Sequence, residues 1–345
     1  MSIRVAINGF GRIGRMVFRR TLEEPDISIV AINASYSPDI LAHMLKYDTV
    51  HGKLNADIKV KDNSIVVNGK ETVITSERNP EKLPWKKLNI EIVIEATGKF
   101  SDEEGAGKHL LAGAKKVLIT SPAKGEDATI VMGVNEEQYN HKRHNIISNA
   151  SCTTNCLAPI AKVIHDNFHI ENGMMTTVHS YTNDQKVLDN MHKDLRRART
   201  AGQSIIPTST GAAKAVSLVL PELTGKLTGL ALRVPTPDVS VVDLVVNVQQ
   251  KVTTEKVNEV LKKASYENMN GIIEYCEEPL VSADFIGNEH SAIVDALSTM
   301  VVGDHQIKII AWYDNEWGYS CRVVDLAKYI SELEVQKRTK EFLTA

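Results

Sequence analysis

The stretch Ser148–Pro159, SNASCTTNCLAP, sets two cysteines four residues apart. Three chemistries compete for such a pair. A metal site wants two more Cys or His ligands at short spacing, and Cys276 and Cys321 are distant and isolated. A disulfide within one helix is strained. The third reading is a nucleophile. Cys152 falls at a strand-to-helix junction, in the first turn of the helix that follows. There the helix dipole and unpaired N–H groups favour thiolate over thiol. Cys156, one turn along, reads as a packed thiol. A cysteine nucleophile needs a base. TTVHSYT supplies His179 near a strand end, with Thr182 and Asp184 directly after it. A lone histidine is usually structural; the polar strand end sets this one apart.

Two anion-binding patterns accompany the pair. Ser151, Thr182, Thr210 and Gly211 in TSTGAAK, and Arg233 in LRVP offer hydroxyls, backbone N–H groups and a guanidinium, the donors that hold phosphate. HKDLRRAR, His192–Arg199, adds cations, most of which read as a solvated or subunit-interface loop. The second pattern is Gly9-x-Gly11-x-x-Gly14, placed after an N-terminal strand and opening a helix, where it reads as a dinucleotide turn. Gly9 permits the tight turn, Gly11 a close backbone approach to pyrophosphate, and Gly14 close helix–strand packing. An acid for the ribose is due about 20 residues on. That count lands on Ala34. A carboxylate there would accept hydrogen bonds from a 2′-hydroxyl and repel a 2′-phosphate; alanine removes the repulsion. NADP is therefore the expected cofactor, with NAD possible if Asp26 or Asp39 serves the ribose instead. Asp26 precedes the strand and Asp39 follows Pro38, so neither is well placed.

These groups need a scaffold, and the chain of 345 residues is long enough for two domains. The first half alternates short apolar runs with helical stretches. IRVAING, DISIVAIN, Ile90–Gly98, Lys115–Thr120, ATIVMGVN and HNIISNA read as strands. Arg12–Glu24 and about Asp102–Ala112 read as helices. That rhythm predicts an α/β, doubly wound parallel sheet. Beyond residue 150 come a helix over roughly Thr153–Phe168, a strand in GMMTTVHSYT, a polar loop from Asp184 to about Gln203, and alternating runs such as VSVVDLVVNVQQ. These suit a mixed or antiparallel sheet with one covered face. From about Tyr319 a long amphipathic helix with a frayed tail is expected. Apolar residues make up 43% and the net charge is −3, which gives no global reason to expect nucleic acid or an acidic membrane as partner. No apolar run approaches the roughly 20 residues of a membrane span, and the N-terminus has no signal-peptide architecture. Sparse cysteine fits a reducing cytoplasm.

INGFGRIGR, SNASCTTNCLAP, TTVHSYTNDQ, HKDLRRAR, IIPTSTGAAKAV, LRVPTPDVSVVDL and WYDNEWGYSCRVVDL together resemble the phosphorylating glyceraldehyde-3-phosphate dehydrogenases over essentially the whole chain. The resemblance implies a Rossmann domain (1–150 plus 318–345), an α+β catalytic domain on a mixed sheet (151–317), and a homotetramer. It implies Cys152 as nucleophile and His179 as base. Asn315 would fix the nicotinamide carboxamide, with Tyr319 close by. Thr182, Arg197 and Arg233 would bind the substrate's C3 phosphate. Ser151, Thr210 and Gly211, with Thr153 beside them, would bind inorganic phosphate. Arg12, Ile13, Arg78, Thr97 and Ser121 would line the dinucleotide. Two departures stand out. NAD-using members resemble one another in carrying Asp at the position of Ala34, and Leu-Pro where this chain has Asn190-Met191. The chain thus looks like the NADP-preferring, gluconeogenic branch. A plain NAD-using glycolytic enzyme and an erythrose-4-phosphate dehydrogenase remain as alternatives, as does a binding protein that uses the HKDLRRAR loop.

Overall fold

The computed structural model describes residues 2–344, with side chains through 333. The chain divides into two compact units. The first holds the residues up to Ile130, Glu136–Ala150 and the segment from Ser320 on; the second holds Val131–Asn135 and Ser151–Tyr319. The sequence reading cuts at 150 and 317; the contacts put Val131–Asn135, Gly318 and Tyr319 with the second unit.

In the first unit the elements run β1 (Ile3–Asn8), α1 (Arg12–Thr21), β2 (Ile27–Asn33), α2 (Pro38–Lys46), β3 (Ile58–Lys61), β4 (Ser64–Val67), β5 (Lys70–Thr75), β6 (Ile92–Glu95), α3 (Glu103–Leu111), β7 (Lys116–Ile119), β8 (Ala128–Thr129) and β9 (Ile146–Ser148). Among the described residues they form one sheet in the order β3-β4-β5-β2-β1-β6-β7-β9-β8. From β5 to β8 every pairing is parallel. The central strands are buried on both faces, and β6 and β7 have no exposed residue, as a helix-covered parallel sheet requires. The wholly parallel sheet expected from the alternation is extended by an antiparallel meander, β3-β4-β5. β3 reads IKVK, with three of its four residues exposed, and four residues are too few for alternation to mark a strand. Trp85 is fully buried here with Ala6, Ala31, Val93 and Ala112; burying such a side chain contributes about 1.5–3 kcal/mol.

Several expected boundaries move. α1 stops at Thr21 rather than Glu24, because the Thr21 hydroxyl donates to Phe18 O at 2.7 Å and the Leu22 N–H turns back to Arg19 O. The strand expected over ATIVMGVN shrinks to β8. Its second half coils into a turn in which Asn135 Oδ1 accepts the Val131 N–H at 2.9 Å.

The second unit runs α4 (Cys152–Phe168), β10 (Ile170–Ser180), β11 (Ile206–Ser209), α5 (Ala212–Val219), β12 (Leu227–Val234), β13 (Ser240–Val248), α6 (Thr254–Tyr266), β14 (Ile273–Cys276), β15 (Ala292–Asp295), β16 (Met300–Val302), β17 (Gln306–Tyr313) and the start of α7 (Trp317–Thr344). Its sheet is mixed, in the order β11-β12-β10-β13-β17-β15-β14, with β16 beside β17. β13 alternates buried and half-buried residues along its whole length, the signature of one covered face. α4, α5 and α6 do the covering: α4 packs on α5, α6 and β13. The frayed tail expected at the end of α7 lies outside the residues whose side chains are described.

Candidate active site

Two neighbouring elements of the second unit bring the expected nucleophile and base together. Cys152 is the first residue of α4, after the cap Ser151, whose hydroxyl accepts the Thr154 N–H at 3.0 Å. The short segment into the helix is tight, with Ala150 at φ +55°. His179 stands one residue from the end of β10. Cys152 Sγ lies 3.5 Å from His179 Nε2. The other ring nitrogen, Nδ1, is 2.7 Å from Ser180 O, so Nδ1 carries the proton and Nε2 faces the sulfur as acceptor. Arg233 Nη1, 2.9 Å from Nδ1, donates to the same Ser180 carbonyl at 3.0 Å. Two donors thus share one acceptor, and the imidazole is held in the tautomer a base needs.

The register explains the convergence. β10 and β12 run parallel with His179 opposite Arg233. Arg233 reaches on to Thr182 Oγ1 at 3.3 Å. Thr182 donates to Asp184, and Asp184 accepts from Arg197 Nη1 at 2.5 Å. Thr182, Arg197 and Arg233, expected as one phosphate set, therefore form one connected cluster. Asp184 stands among them as an anion: burial would raise its carboxyl, but Thr182, Arg197 and Arg233 hold it below the usual range. Asn315 joins through Ser180 as well. Its Oδ1 accepts from Ser180 Oγ at 2.8 Å and from Ser240 Oγ at 2.6 Å, which fixes which end of the amide is the acceptor. Thr153 donates to or accepts from Tyr313 OH at 2.8 Å, and Tyr313 OH also meets Thr177 at 2.9 Å, with its ring edge-on to His179. Thr210 accepts the Ala212 N–H at 3.2 Å and Gly211 caps α5. Ser151 directly precedes Cys152 as the cap of α4, and Tyr319 is buried in the first turn of α7.

Electrostatics corrects one expectation. The helix N-terminus was to favour the thiolate of Cys152. Instead burial pushes the thiol up, and the nearby Arg233 charge and the Thr153 hydrogen bonds only partly offset it. His179 moves the other way. Burial and then Arg233 push the imidazole down to about 3. Burial thus works against both a Cys152 thiolate and a His179 imidazolium, and Nε2 is placed to take the proton from Sγ. Cys156 is buried one turn along, its thiol pushed well up by burial, as a packed residue would be.

The first unit carries the dinucleotide features. Gly9 has φ +96°, and a Cβ there would stand 2.8 Å from the Ala96–Thr97 backbone. A Cβ on Gly14 would stand 2.1 Å from Gly9 O, so helix and turn are in contact. A Cβ on Gly11 would meet nothing. Gly11 caps α1 without a side-chain bond, and the first turn of α1, with Arg12 and Ile13, has no acid. An uncapped helix start with open space before it fits a pyrophosphate. Arg12 pairs with Asp48, a buried carboxyl; burial would raise it, but Arg12 and the His51 and Val50 N–H groups hold it well below the usual range. Thr97 hydrogen-bonds Glu95 through its N–H and hydroxyl. Ser121 O accepts from Ser148 Oγ at 2.8 Å. Arg78 is exposed, just beyond β5.

Sequence reasoning missed Ser180, Ser240, Tyr313 and Asp48, and noted Asp184 only as a polar neighbour. Ser180 and Tyr313 lie inside blocks already singled out, so the sheet register, once drawn, would have found them. Nothing in the spacing pointed to Asp48.

Both parts of the chain match one family of known proteins. Residues 151–315 match the family described as glyceraldehyde 3-phosphate dehydrogenase, C-terminal domain, and residues 3–103 match its NAD binding domain. The chain is 60% identical to glyceraldehyde-3-phosphate dehydrogenase 2 of Bacillus subtilis, over 96% of this chain and 97% of that protein. It is 61% identical to glyceraldehyde-3-phosphate dehydrogenase of Geobacillus stearothermophilus, over 96% and 99%. It is also 60% identical to glyceraldehyde-3-phosphate dehydrogenase 1 of Bacillus subtilis, over 96% and 99%.

Proposed function

The chain belongs to the glyceraldehyde-3-phosphate dehydrogenase family, and from that premise we propose that it prefers NADP to NAD and serves the reductive, gluconeogenic direction. The observation that carries this is the end of β2. Ala34 follows the strand directly, its N–H bonded to Thr75 O at 2.9 Å, and offers a methyl where a ribose acid would stand. Asp26 precedes β2 at its opposite end, about 20 Å away along a seven-residue strand. Asp39 sits in the first turn of α2. Asn190 and Met191 support the same reading, Met191 being 90% exposed on its loop.

The residues assign themselves roles in either direction. A nicotinamide held by Asn315 would supply the hydride acceptor in oxidation and the hydride donor in reduction. In oxidation Cys152 Sγ attacks the aldehyde carbon as its proton passes to His179 Nε2. The resulting alkoxide takes that proton back, with the Cys152 N–H at the start of α4 as a further donor. His179 removes the hydroxyl proton as hydride leaves, giving a thioester on Cys152. A phosphate oxygen, held by Ser151, Thr210 and Gly211, attacks that carbonyl, and the C–S bond breaks to release the acyl phosphate and restore the thiol. Thr182, Arg197 and Arg233 hold the substrate's C3 phosphate throughout. Asn315 anchors the carboxamide. In reduction each step reverses: 1,3-bisphosphoglycerate acylates Cys152 and phosphate leaves first.

No described helix is long and apolar enough to cross a membrane. All four cysteines are thiols, not disulfides, which supports a cytoplasmic, reducing setting. The partners we propose are the small-molecule substrate, inorganic phosphate and three further copies of the chain. The test is kcat/KM with NADP and with NAD, in the wild type and in Ala34→Asp. The wild type should favour NADP, and the variant should shift the ratio towards NAD by about tenfold or more. A wild type that favours NAD, or an unmoved ratio in the variant, ends the proposal while the cysteine chemistry stands.

A further inference from the structure

Behind the dinucleotide turn lies a chain of buried polar side chains that no step of the reaction uses. Trp85 Nε1 donates to His109 Nδ1 at 3.0 Å. That bond leaves the proton on Nε2, which donates to Glu95 Oε2 at 3.1 Å. Asn8 Nδ2 donates to the same oxygen at 2.5 Å, while Oε1 accepts from the Thr97 N–H and hydroxyl. All four acceptor positions of a carboxylate only 2% exposed are thus filled. Asn8 Oδ1 then accepts from Asn33 Nδ2 at 2.7 Å.

Asn33, itself buried, ties the chain to the turn after β5. Its Nδ2 also donates to Glu77 O at 2.8 Å, and its Oδ1 accepts the Glu77 N–H at 2.9 Å and the Thr75 hydroxyl at 3.1 Å. The amide therefore brackets one backbone residue through both its N–H and its C=O. Aspartate could not do this, because it has no donor for Glu77 O or Asn8 Oδ1. The bracketed residue immediately precedes Arg78, and the bracketing residue immediately precedes Ala34. Asn8, Asn33, Thr75 and Glu95 sit at the C-terminal ends of β1, β2, β5 and β6, four adjacent strands, which is where a doubly wound sheet binds its ligand.

We propose that Asn33 is a positioning residue for the dinucleotide: by clamping the Glu77 backbone it sets the turn that carries Arg78 against the end of β2, and the buried Asn8–Glu95–His109–Trp85 chain holds the clamp rigid. This rests on the reading of that end as the cofactor's adenosine site. A network that only stabilised the fold would, when cut, change thermal stability and leave KM for the cofactor alone. A positioning network changes cofactor affinity without touching the chemistry at Cys152.

The experiment compares Asn33→Ala and the near-isosteric Thr75→Val with wild type, measuring melting temperature, kcat, KM for NADP and NAD, and KM for glyceraldehyde 3-phosphate. Asn33→Ala should raise KM for NADP about tenfold and Thr75→Val about threefold. In both, kcat and the aldehyde KM should stay within about twofold of wild type. The NADP-to-NAD ratio should fall in Asn33→Ala. Folded variants with a wild-type cofactor KM, or with kcat reduced and KM unchanged, overturn the inference. If Asn33→Ala does not fold, Thr75→Val decides alone. Failure of the underlying reading looks different: the wild type itself would then show no saturable dependence on either dinucleotide.

Discussion

At the scale of single residues, the Cys152–His179 pair is a sulfur and a ring nitrogen 3.5 Å apart in a buried setting. Burial raises the thiol and lowers the imidazole, so the packed site opposes charge on either side. Replacing His179 by Asn removes the acceptor at 3.5 Å and should lower kcat by about 10²–10⁴-fold. It should also slow Cys152 alkylation by iodoacetamide near pH 7, where Nε2 takes the thiol proton. An unchanged alkylation rate would dissolve the pairing. Asp238 offers a second test. Burial, then the neighbouring Asp314 and Glu316 charges, push its carboxyl up to about 9. The unfolded chain loses that proton above about pH 4 and the folded one holds it to about 9. Between these limits the native state binds more protons, so this residue costs stability progressively as pH rises. Asp238→Asn keeps the shape and removes the ionisation. Its advantage over wild type in denaturant unfolding should grow from pH 5 to pH 8 and reach about 1 kcal/mol or more. A pH-independent difference would count against a protonated Asp238.

At the scale of elements, the dinucleotide turn depends on contacts that leave no room for a methyl group. Gly14→Ala would drive a Cβ to 2.1 Å from Gly9 O. It should cost about 1–3 kcal/mol and raise KM for the cofactor; a variant with wild-type melting and KM would mean the turn yields. This motif was legible in the sequence because glycine spacing, strand and helix fall within thirteen residues, Ile3–Arg15. So were Cys152 and His179, one at a helix start and the other at a polar strand end. The family resemblance was legible too, and the matched domains bear it out. Other features were not. The strands of the β3-β4-β5 meander are four to six residues long and β3 and β5 are largely outside the core, so each run is too short to mark a strand by its pattern. Ser180 and Ser240 sit on different strands and meet only through the pairing of β10 with β13. Asp48 reaches Arg12 across 36 positions of sequence. The thiolate expectation failed for a related reason: a helix start is visible in sequence, whereas the desolvation that outweighs it belongs to the packed site.

At the scale of the molecule, the second unit presents apolar surface that a single chain leaves bare. Met174, Val245, Lys308 and Met300 follow one another in register across β10, β13, β17 and β16, on one face of the sheet. Met174 and Met300 are exposed there. The loop between β10 and β11 adds Val187, Leu188, Met191 and Leu195, all exposed. Surfaces of this kind mark interfaces. The proposed homotetramer predicts a mass of about 152 kDa by sedimentation for four copies of the 38.1 kDa chain; a 38.1 kDa species at micromolar concentration would refute it. The division of the chain has a consequence for biosynthesis. The second unit is almost contiguous, whereas the first takes in the segment from Ser320 on. There Lys328 pairs with Glu24 at 2.6 Å and Tyr329 packs on Tyr139. A ribosome delivers that segment last. The half that begins first is thus the half that finishes last, and it must wait, with part of its surface uncovered, until the catalytic sheet has already been made.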